Sequence, residues 1–540
     1  MTTDALCQLT ISEMSAQIAT RDLSPIALCD AHLARIAALN DTLHAFITVT
    51  ADLAREQAAR HDAEIAKQGP RGPLHGIPIA LKDIYDTAGI LTSGHSAHMQ
   101  SRIPKTDSIC WERLERAGAV LLGKLATHEF ATGGPSYDLP WPPARNPWRL
   151  DRFPGGSSSG AGASVSARMA AGALGSDTGG SIRLPAAYCG LVGLKPTYGR
   201  VPKEGVLPLS WTFDNCGPLT RTVEDAAIML QAIAGHDARD PTTDRRAVPD
   251  FRAELASGVA GLTIGIAPAW YDPHVIPPVA DAMQAACAVF RDLGATVVDV
   301  TLPPLSAFES CYRAIVLAEA FAIYERGVNE SGPQFGAAFR QRVLPGALVS
   351  AADYVAGLQM QRALRDQVLA LFARVDVLLM PTIPSAAPVQ HTLRQRMRAG
   401  AGLLTSPFNI AQCPAMSVCC GFTERALPLG MQLIAPPFEE SRVLQVGAAY
   451  EGATRWHERV PQLVPGESIE PPDERPPKGA ALSTSLEARR EWHRLDTEPQ
   501  SVAHLATGVE EALSVVRGVR TPRHYGEEPG PTFSLVGEND

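Results

Sequence analysis

Long apolar runs are absent from this sequence. No stretch approaches the roughly 18 residues that a membrane-spanning helix needs. The first residues, MTTDALCQL, carry neither a basic region nor a long apolar segment, so we expect no signal peptide. The ten cysteines are scattered and form no CxxC pair, which favours free buried thiols in a reducing, cytoplasmic compartment.

An excess of positive charge is also missing. The 540 residues carry a formal net charge of -9, which offers no general attraction for nucleic acid or for an anionic membrane. We therefore expect a small-molecule substrate rather than a nucleic-acid or membrane partner. No cluster of residues indicates a metal or a cofactor: His95 and His98 share an HxxH spacing, but no acidic or cysteine ligand accompanies them.

What the sequence does contain is an alternation of helical patterns with short apolar runs, which is typical of a layered α/β fold. Apolar residues recur at helical spacing through residues 11–67, with a helix start at Ser24-Pro25. The segment 280–303 has the pattern of a helix, a glycine stop and a strand. Four runs are predicted to be strands: IPIALKD (77–83), AVLLG (119–123), LTIGIA (262–267) and DVLLMPT (376–382).

The composition changes near residue 464. VPGESIEPPDERPPKG is rich in proline and charge, which is typical of a linker. We predict a main domain over residues 1–463, a proline-rich linker over 464–480, and a helical and irregular extension over 481–540. Helices are expected within roughly 485–518. The extension is predicted to dock on the surface or across a homodimer, and a disordered tail is the alternative.

Three short motifs resemble known sites but lack their context. GAVLLGK (118–124) matches the phosphate-binding GxxxxGK, but Leu125 stands where a serine or threonine is needed. GSSSG (156–160) matches the nucleophile elbow of α/β-hydrolases, but Pro154 precedes it where a strand is required. Cys419-Cys420 follows an apolar run and is better explained as core thiols than as a redox pair.

Residues 155–183, GGSSSGAGASVSARMAAGALGSDTGGSIR, hold two glycine–serine clusters around a run of small residues. The run 163–174 predicts a closely packed helix that a serine-rich turn begins. In the second cluster, consecutive glycines let backbone N–H groups converge beside Ser181. A hydroxyl beside converging amides suits an acyl-transfer nucleophile with its oxyanion hole.

Such a serine needs a base, and the stretch contains none. Lys82 ends the apolar run IPIAL, and burial there would lower the pKa of its ammonium and favour the neutral amine. The alternative is a structural lysine that pairs with Asp83 or another carboxylate.

Several long motifs, in order, resemble the amidase signature family over about residues 5–460. They are LHGIPIALKD (74–83), RNPWRLDRFPGGSSSGAGASVSA (145–167), ALGSDTGGSIRLPAAYCGLVGLKPTYGRV (173–201), DNCGPLTRTVEDA (214–226), VDVLLMPTIP (375–384) and LPLGMQLIAPPFEE (427–440). The resemblance implies an α/β fold with a central mixed, twisted β-sheet covered by helices on both faces.

The same resemblance implies a Ser–cisSer–Lys triad that hydrolyses amides through an acyl-enzyme. Ser181 would be the nucleophile, Ser157 the bridging serine on a cis peptide bond, and Lys82 the base. The implied oxyanion hole consists of the N–H groups of Thr178, Gly179, Gly180 and Ser181. We expect Arg183 to brace Asp177, and Ser158 and Ser159 to hydrogen-bond around Lys82 and Ser157.

Within this resemblance, a free-standing amidase is favoured, with the glutamine-hydrolysing component of a tRNA-dependent amidotransferase, its A subunit, as the alternative. The stretch 176–201 is very similar to that component. However, Gly402 stands where the component has an aspartate that helps to hold the glutamine amino group. Trp211 and the apolar segment 399–408 favour an aryl or aliphatic acyl group over a charged one. Carbamates (urethanes) and some esters are open to the same chemistry. A catalytically silent binding or scaffold protein is the remaining alternative.

Overall fold

The computed structural model describes residues 2–390, 403–467 and 515–520. The strands in these ranges form one sheet of eleven strands, in the order β1-β3-β2-β4-β6-β5-β10-β11-β9-β7-β8. They are β1 (Phe46–Val49), β2 (Pro78–Lys82), β3 (Val120–Leu125), β4 (Gly172–Asp177), β5 (Val192–Lys195), β6 (Asn215–Thr220), β7 (Thr263–Ile266), β8 (Thr296–Asp299), β9 (Val377–Pro381), β10 (Ala415–Phe422) and β11 (Pro428–Ile434).

The sheet is mixed. Two parallel groups, β3-β2-β4 and β9-β7-β8, are joined through antiparallel pairs in the middle of the sheet. Every residue of β2, β3 and β4 is buried, and successive residues of a strand point to opposite faces, so both faces of this part of the sheet are covered. The predicted α/β class and mixed sheet are confirmed.

The covering elements are α-helices that differ widely in length. They are α1 (Thr3–Gln8), α2 (Ile11–Thr20), α3 (Pro25–Leu43), α4 (Ala51–Gln68), α5 (Ile109–Arg116), α6 (Ser159–Ser166), α7 (Arg183–Cys189), α8 (Val223–Ile233), α9 (Pro268–Tyr271), α10 (Pro277–Asp292), α11 (Leu305–Ser331), α12 (Ala337–Val343), α13 (Ala351–Leu371), α14 (Ser406–Ile410) and α15 (Glu440–Thr454). In the described part of the chain no single helix meets the length and apolarity that a membrane crossing requires. One pair, residues 337–348 and 351–371, meets them only when its two helices, bent by 99°, are counted together.

Most predicted elements are present. The four predicted strands are β2, β3, β7 and β9, and the helix–glycine–strand pattern of 280–303 is α10 followed by β8. Ser24 caps α3 by accepting a hydrogen bond from the backbone N–H of Ile26, as its position before Pro25 predicts.

Two predictions were wrong in their boundaries. The helical prediction over 11–67 is interrupted by β1, whose residues Ile47, Thr48 and Val49 are β-branched and pair antiparallel with β3. The helix predicted over 163–174 is α6, which begins earlier, at Ser159, and ends at Ser166. Arg168, with φ of 61°, turns the chain, and residues 172–177 form β4 between β2 and β6.

The far C-terminal region contributes one described segment. Val516 and Val519 are 1% and 6% exposed and belong to the main hydrophobic core, where residues 517–520 pack against α11 and α13. The linker after residue 467 and the helices predicted before residue 515 lie outside the described residues. The division into 1–463, 464–480 and 481–540 therefore remains a prediction.

Candidate active site

Two neighbouring parallel strands bring Lys82 to the serine clusters. Lys82 is the last residue of β2, and Ser176 lies near the end of β4, so their carboxyl ends meet at one edge of the sheet. Lys82 Nζ lies 2.7 Å from Ser157 Oγ and 2.8 Å from Ser176 Oγ. The lysine side chain is fully buried, so these two hydroxyls are its hydrogen-bond environment among the described residues.

Ser157 is held through its backbone. The peptide bond between Gly156 and Ser157 is cis. The Ser157 carbonyl accepts hydrogen bonds from the backbone N–H of His128 (3.0 Å) and from Thr127 Oγ1 (2.9 Å). The His128 ring lies directly over Gly156: a Cβ added there would approach the ring to 2.1 Å. The bridging-serine position thus depends on the loop that follows β3.

The second cluster follows β4 as a tight loop around the Asp177 carboxylate. Asp177 Oδ1 accepts a hydrogen bond from the backbone N–H of Gly180 (2.8 Å), and Oδ2 accepts one from Ile182 (3.2 Å). Gly180 has φ of 129°, and a Cβ there would lie 2.3 Å from Thr405 Oγ1. A glycine is therefore required at this position on both counts.

This geometry changes the predicted oxyanion hole. The Gly180 N–H is engaged by Asp177, and Gly180 does not line the pocket. Thr178, Gly179 and Ser181 do line it, and their backbone N–H groups have no acceptor among the described residues. Three of the four predicted donors thus remain available to a substrate oxygen.

Arg183 lies behind this loop in a buried ion pair. Its Nε and Nη2 each donate to the Asp177 carboxylate at 3.0 Å. It also donates to Asn409 Oδ1 (2.6 Å) and Gln432 Oε1 (2.8 Å). Burial alone would raise the pKa of Asp177, but the Arg183 guanidinium outweighs burial and lowers it, so the carboxylate stays charged.

Burial has the opposite consequence for Lys82. Desolvation of the ammonium lowers its pKa to about 7, although the Asp214 and Asp177 carboxylates act to raise it. Lys82 is therefore half neutral near pH 7, and a neutral amine is what a general base requires. The alternative pairing with Asp83 is not present: Asp83 Oδ1 lies 3.5 Å from a different buried lysine, Lys124.

A pocket of about 310 Å³ opens in front of these groups. Ser157 and Ser181 line it, together with the largely apolar side chains of Phe153, Tyr188 and Leu209. The lining also includes charged and polar side chains, namely Glu309, Tyr312, Arg313 and Arg342. Trp211 is 53% exposed and does not line this pocket, so it offers no support for an aryl substrate.

The two arginines of this lining differ in their partners among the described residues. Arg313 lies 2.9 Å from Glu309, its neighbour one turn earlier on α11. Arg342, at the end of α12, has no hydrogen bond or ion pair within the described ranges. Burial and then Arg313 lower its pKa, and the opposing effects of Tyr312 and Glu309 are smaller.

The serines predicted to support Lys82 are arranged differently. Ser158 Oγ accepts from the Ser176 N–H (3.3 Å), and Ser159 Oγ contacts the Ala126 carbonyl (3.4 Å), so neither hydroxyl is bonded to Lys82. Ser176 takes that place, and sequence reasoning missed it because residues up to 174 were assigned to a helix. A strand over 172–177, parallel to β2, would have placed Ser176 beside Lys82.

One group of side chains in the described ranges has metal-ligand spacing, and it lies away from the pocket. The ligand atoms of His61, Glu64 and His75 all lie within 4.8 Å of one another. However, His75 Nδ1 accepts the Arg71 backbone N–H (3.1 Å), and His75 Nε2 lies 3.1 Å from the Glu64 carboxylate. Arg71 Nη2 also lies 3.2 Å from both imidazoles, so an arginine occupies the position that a metal ion would take.

Comparisons with known proteins give a consistent picture. The family model described as Amidase matches residues 27–444. The glutamyl-tRNA(Gln) amidotransferase A subunit of Methylococcus capsulatus is 39% identical, over 84% of this chain and 98% of its own. The native peptide amidase of Stenotrophomonas maltophilia is 33% identical with a TM-score of 0.73, over 84% of this chain and 98% of its own. A chain from a vestigial complex linked to the origins of an s-triazine catabolic enzyme is 31% identical with a TM-score of 0.77, over 83% and 99%.

Proposed function

The chain belongs to the amidase signature family, and on that premise we propose that it hydrolyses amide bonds through an acyl-enzyme on Ser181. The observation that carries the proposal is the buried contact of 2.7 Å between Lys82 Nζ and Ser157 Oγ, in a pocket that Ser181 also lines. The N–H groups of Thr178, Gly179 and Ser181 have no acceptor among the described residues and would supply the donors that an oxyanion needs.

The reaction would proceed by a proton relay. Neutral Lys82 takes a proton from Ser157, and Ser157 takes one from Ser181, whose Oγ attacks the substrate carbonyl carbon. The tetrahedral oxyanion accepts hydrogen bonds from the loop N–H groups. As the C–N bond breaks, the relay returns a proton to the leaving nitrogen, and Ser181 keeps the acyl group. Water then attacks the ester by the reverse relay and releases the carboxylic acid.

For the substrate, we propose an amide that carries a carboxylate. Arg342 lines the pocket and has no hydrogen bond or ion pair among the described residues, and Glu309 is already paired with Arg313. An unpaired, partly buried guanidinium is costly unless a ligand supplies the anion. An arginine also binds a carboxylate with two parallel hydrogen bonds. This replaces the expectation, based on Trp211 and residues 399–408, of an uncharged acyl group.

Glutamine hydrolysis within an amidotransferase is the second candidate, and the comparisons favour it over a free-standing amidase. Relatives named as A subunits of glutamyl-tRNA(Gln) amidotransferase are 37% to 40% identical to this chain. The carboxylate of glutamine would suit Arg342. Gly402, the departure that argued against this candidate, lies outside the described residues. Under this candidate the chain would work with partner subunits, and under the first a homodimer stays a prediction.

A panel of substrates tests these proposals. Ammonia or amine release is measured with glutaramate, glutamine, a neutral aliphatic amide, an anilide and a carbamate, using the isolated chain. If the isolated chain hydrolyses glutaramate faster than the neutral amide of equal length, the result supports a free-standing enzyme for anionic amides. Turnover of glutamine alone, increased by amidotransferase partner subunits, supports the second candidate. Turnover of neutral amides alone would contradict the proposal that Arg342 binds a substrate carboxylate. If no substrate is turned over and Ser181 is not acylated, the proposed amide hydrolysis is contradicted.

A further inference from the structure

Asp214 joins the two loops that meet in the candidate active site. Its Oδ1 accepts a hydrogen bond from Thr178 Oγ1 at 2.6 Å. Its Oδ2 accepts the backbone N–H groups of Leu209 (2.7 Å) and Ser210 (2.9 Å). Thr178 belongs to the loop whose N–H groups at 178, 179 and 181 have no acceptor among the described residues, and Leu209 also lines the pocket. One carboxylate therefore spans the oxyanion loop and the substrate-facing segment 209–214.

We propose that Asp214 is a positioning residue that fixes the oxyanion loop relative to the substrate-facing segment. The inference rests on the proposed amide hydrolysis, since it assigns the N–H groups beside Thr178 to the oxyanion. It concerns a residue outside the triad, acting through the Thr178 hydroxyl rather than on the substrate. The sequence motif DNCGPLTRTVEDA begins with Asp214, but nothing in the motif shows what this carboxylate contacts.

The donors around Asp214 explain why a carboxylate is needed. All three partners are N–H or O–H donors, and an ionised carboxylate offers only acceptors. An asparagine would match the shape but would turn its NH₂ group toward one of these donors. Either Thr178 or the 209–210 backbone would then lose its partner, and the two loops would no longer be held together.

Glu319 provides a matched comparison, because it holds the same segment from the other side. This α11 residue accepts hydrogen bonds from the Ser210 hydroxyl and from the Thr212 backbone N–H (3.2 Å) and Oγ1 (2.5 Å). It also accepts one from the Tyr354 hydroxyl at 2.9 Å. Glu319 does not touch Thr178, so it fixes the segment but not the oxyanion loop.

The charged groups near Asp214 determine the direction in which the pH dependence of activity should shift when Asp214 is neutralised. Asp214 and then Asp177 are the carboxylates that raise the pKa of Lys82, with a smaller effect from Cys216. Lys203 is the cation that acts on Asp214 itself. Loss of the Asp214 charge should therefore lower the pKa of Lys82 further and move the acid limb of activity to lower pH.

The test compares Asp214→Asn, Thr178→Val, Thr178→Ser and Glu319→Gln. The first readout is the rate at which a fluorophosphonate probe labels Ser181, since the probe places a phosphoryl oxygen where the oxyanion would lie. The second is backbone hydrogen exchange over residues 178–182, which needs no activity. Thermal unfolding of each variant identifies loss of the fold. Labelling of wild-type Ser181, located by mass spectrometry, reports the proposed function separately.

We expect Asp214→Asn and Thr178→Val to slow labelling about 10- to 100-fold and to speed exchange over 178–182. Thr178→Ser should recover most of the rate lost in Thr178→Val, and Asp214→Asn should move the acid limb to lower pH. Glu319→Gln should raise KM with little change in labelling rate. The inference is overturned if Thr178→Val has the wild-type rate of Ser181 labelling and wild-type hydrogen exchange over residues 178–182. It is also overturned if Glu319→Gln slows the labelling of Ser181 as much as Asp214→Asn does.

Discussion

Lys82 Nζ and Ser176 Oγ lie 2.8 Å apart, and the contact is fully buried. This hydroxyl is the second neighbour of the amine, beside that of Ser157 at 2.7 Å. A protonated Lys82 donates to both oxygens, and we expect the Ser176 hydroxyl to favour the charged form of this amine. The geometry thereby adds a fourth side chain to the three that the family resemblance implies.

Replacing Ser176 with alanine should lower kcat about tenfold and move the acid limb of kcat to lower pH. The reason is that Lys82 would lose one acceptor for its ammonium, which lowers its pKa, while its orientation toward Ser157 would loosen. Rates across pH 5–9 measure both effects. Ser159→Ala is the control, since the hydrogen bond of the Ser159 hydroxyl in the described part of the chain is to the Ala126 carbonyl and not to Lys82. An unshifted limb in Ser176→Ala would disprove the tuning role.

Gly156→Ala should abolish measurable turnover, because the added methyl would lie 2.1 Å from the His128 ring beside the bridging serine. The companion double variant, Gly156→Ala with His128→Ala, removes the ring and should recover part of the activity. Labelling of Ser181 and thermal unfolding are measured in both. A double variant that stays as inactive as Gly156→Ala would show that His128 is not the obstacle.

Arg342→Gln should raise KM for glutaramate about 10- to 100-fold, the range expected for the loss of a hydrogen bond to a charged group. The KM for the neutral amide of equal length should hardly change. Arg340→Gln is a control on the same helix, since Arg340 donates to the Gly332 carbonyl (2.9 Å) and does not line the pocket. An equal rise in KM for the anionic and the neutral amide would show that Arg342 does not recognise the substrate carboxylate.

Removing residues 468–540 should lower the melting temperature and increase binding of an apolar dye. Val516 and Val519 would no longer cover α11 and α13, and α11 carries the pocket residues Tyr312 and Arg313. The double variant Val516→Asp with Val519→Asp tests the same contact in the full chain. Solubility, turnover and unfolding identical to wild type in both would dismiss a role for this segment.

Much of the fold follows from local patterns. Short apolar runs predicted four central strands, and the serine before Pro25 predicted the start of α3. The run 163–174 was assigned wrongly because its small residues suit a helix as well as a strand between two neighbours. That choice depends on the pairing of β4 with β2 and β6, which only the tertiary structure supplies.

The candidate site likewise contains residues that the sequence motifs predict and residues that only the tertiary structure reveals. Lys82, Ser157 and Ser181 were predicted from the long motifs that surround them. Ser176 and Asp214 were missed because their contacts, with Lys82 and Thr178, cross 94 and 36 residues of sequence. Arg342 was missed because only the folded chain shows that it lines the pocket and has no hydrogen bond or ion pair among the described residues. The hydrogen bond from the Gly180 N–H to Asp177 could be recognised only in the folded loop, because all four N–H groups appear equivalent in the sequence.

The central claim is that a neutral Lys82 drives Ser157 and, through it, Ser181. The most direct measurement is the rate of fluorophosphonate labelling of Ser181 from pH 5 to 9, in wild type and in Lys82→Met. Because the pKa of Lys82 is about 7, the wild-type rate should rise about tenfold per pH unit on the acid side and level off above pH 8. In Lys82→Met this rise with pH should be lost, and Ser181 should be labelled at least about 1,000-fold more slowly than in wild type. A flat wild-type profile, or a rise that survives in Lys82→Met, would contradict the account.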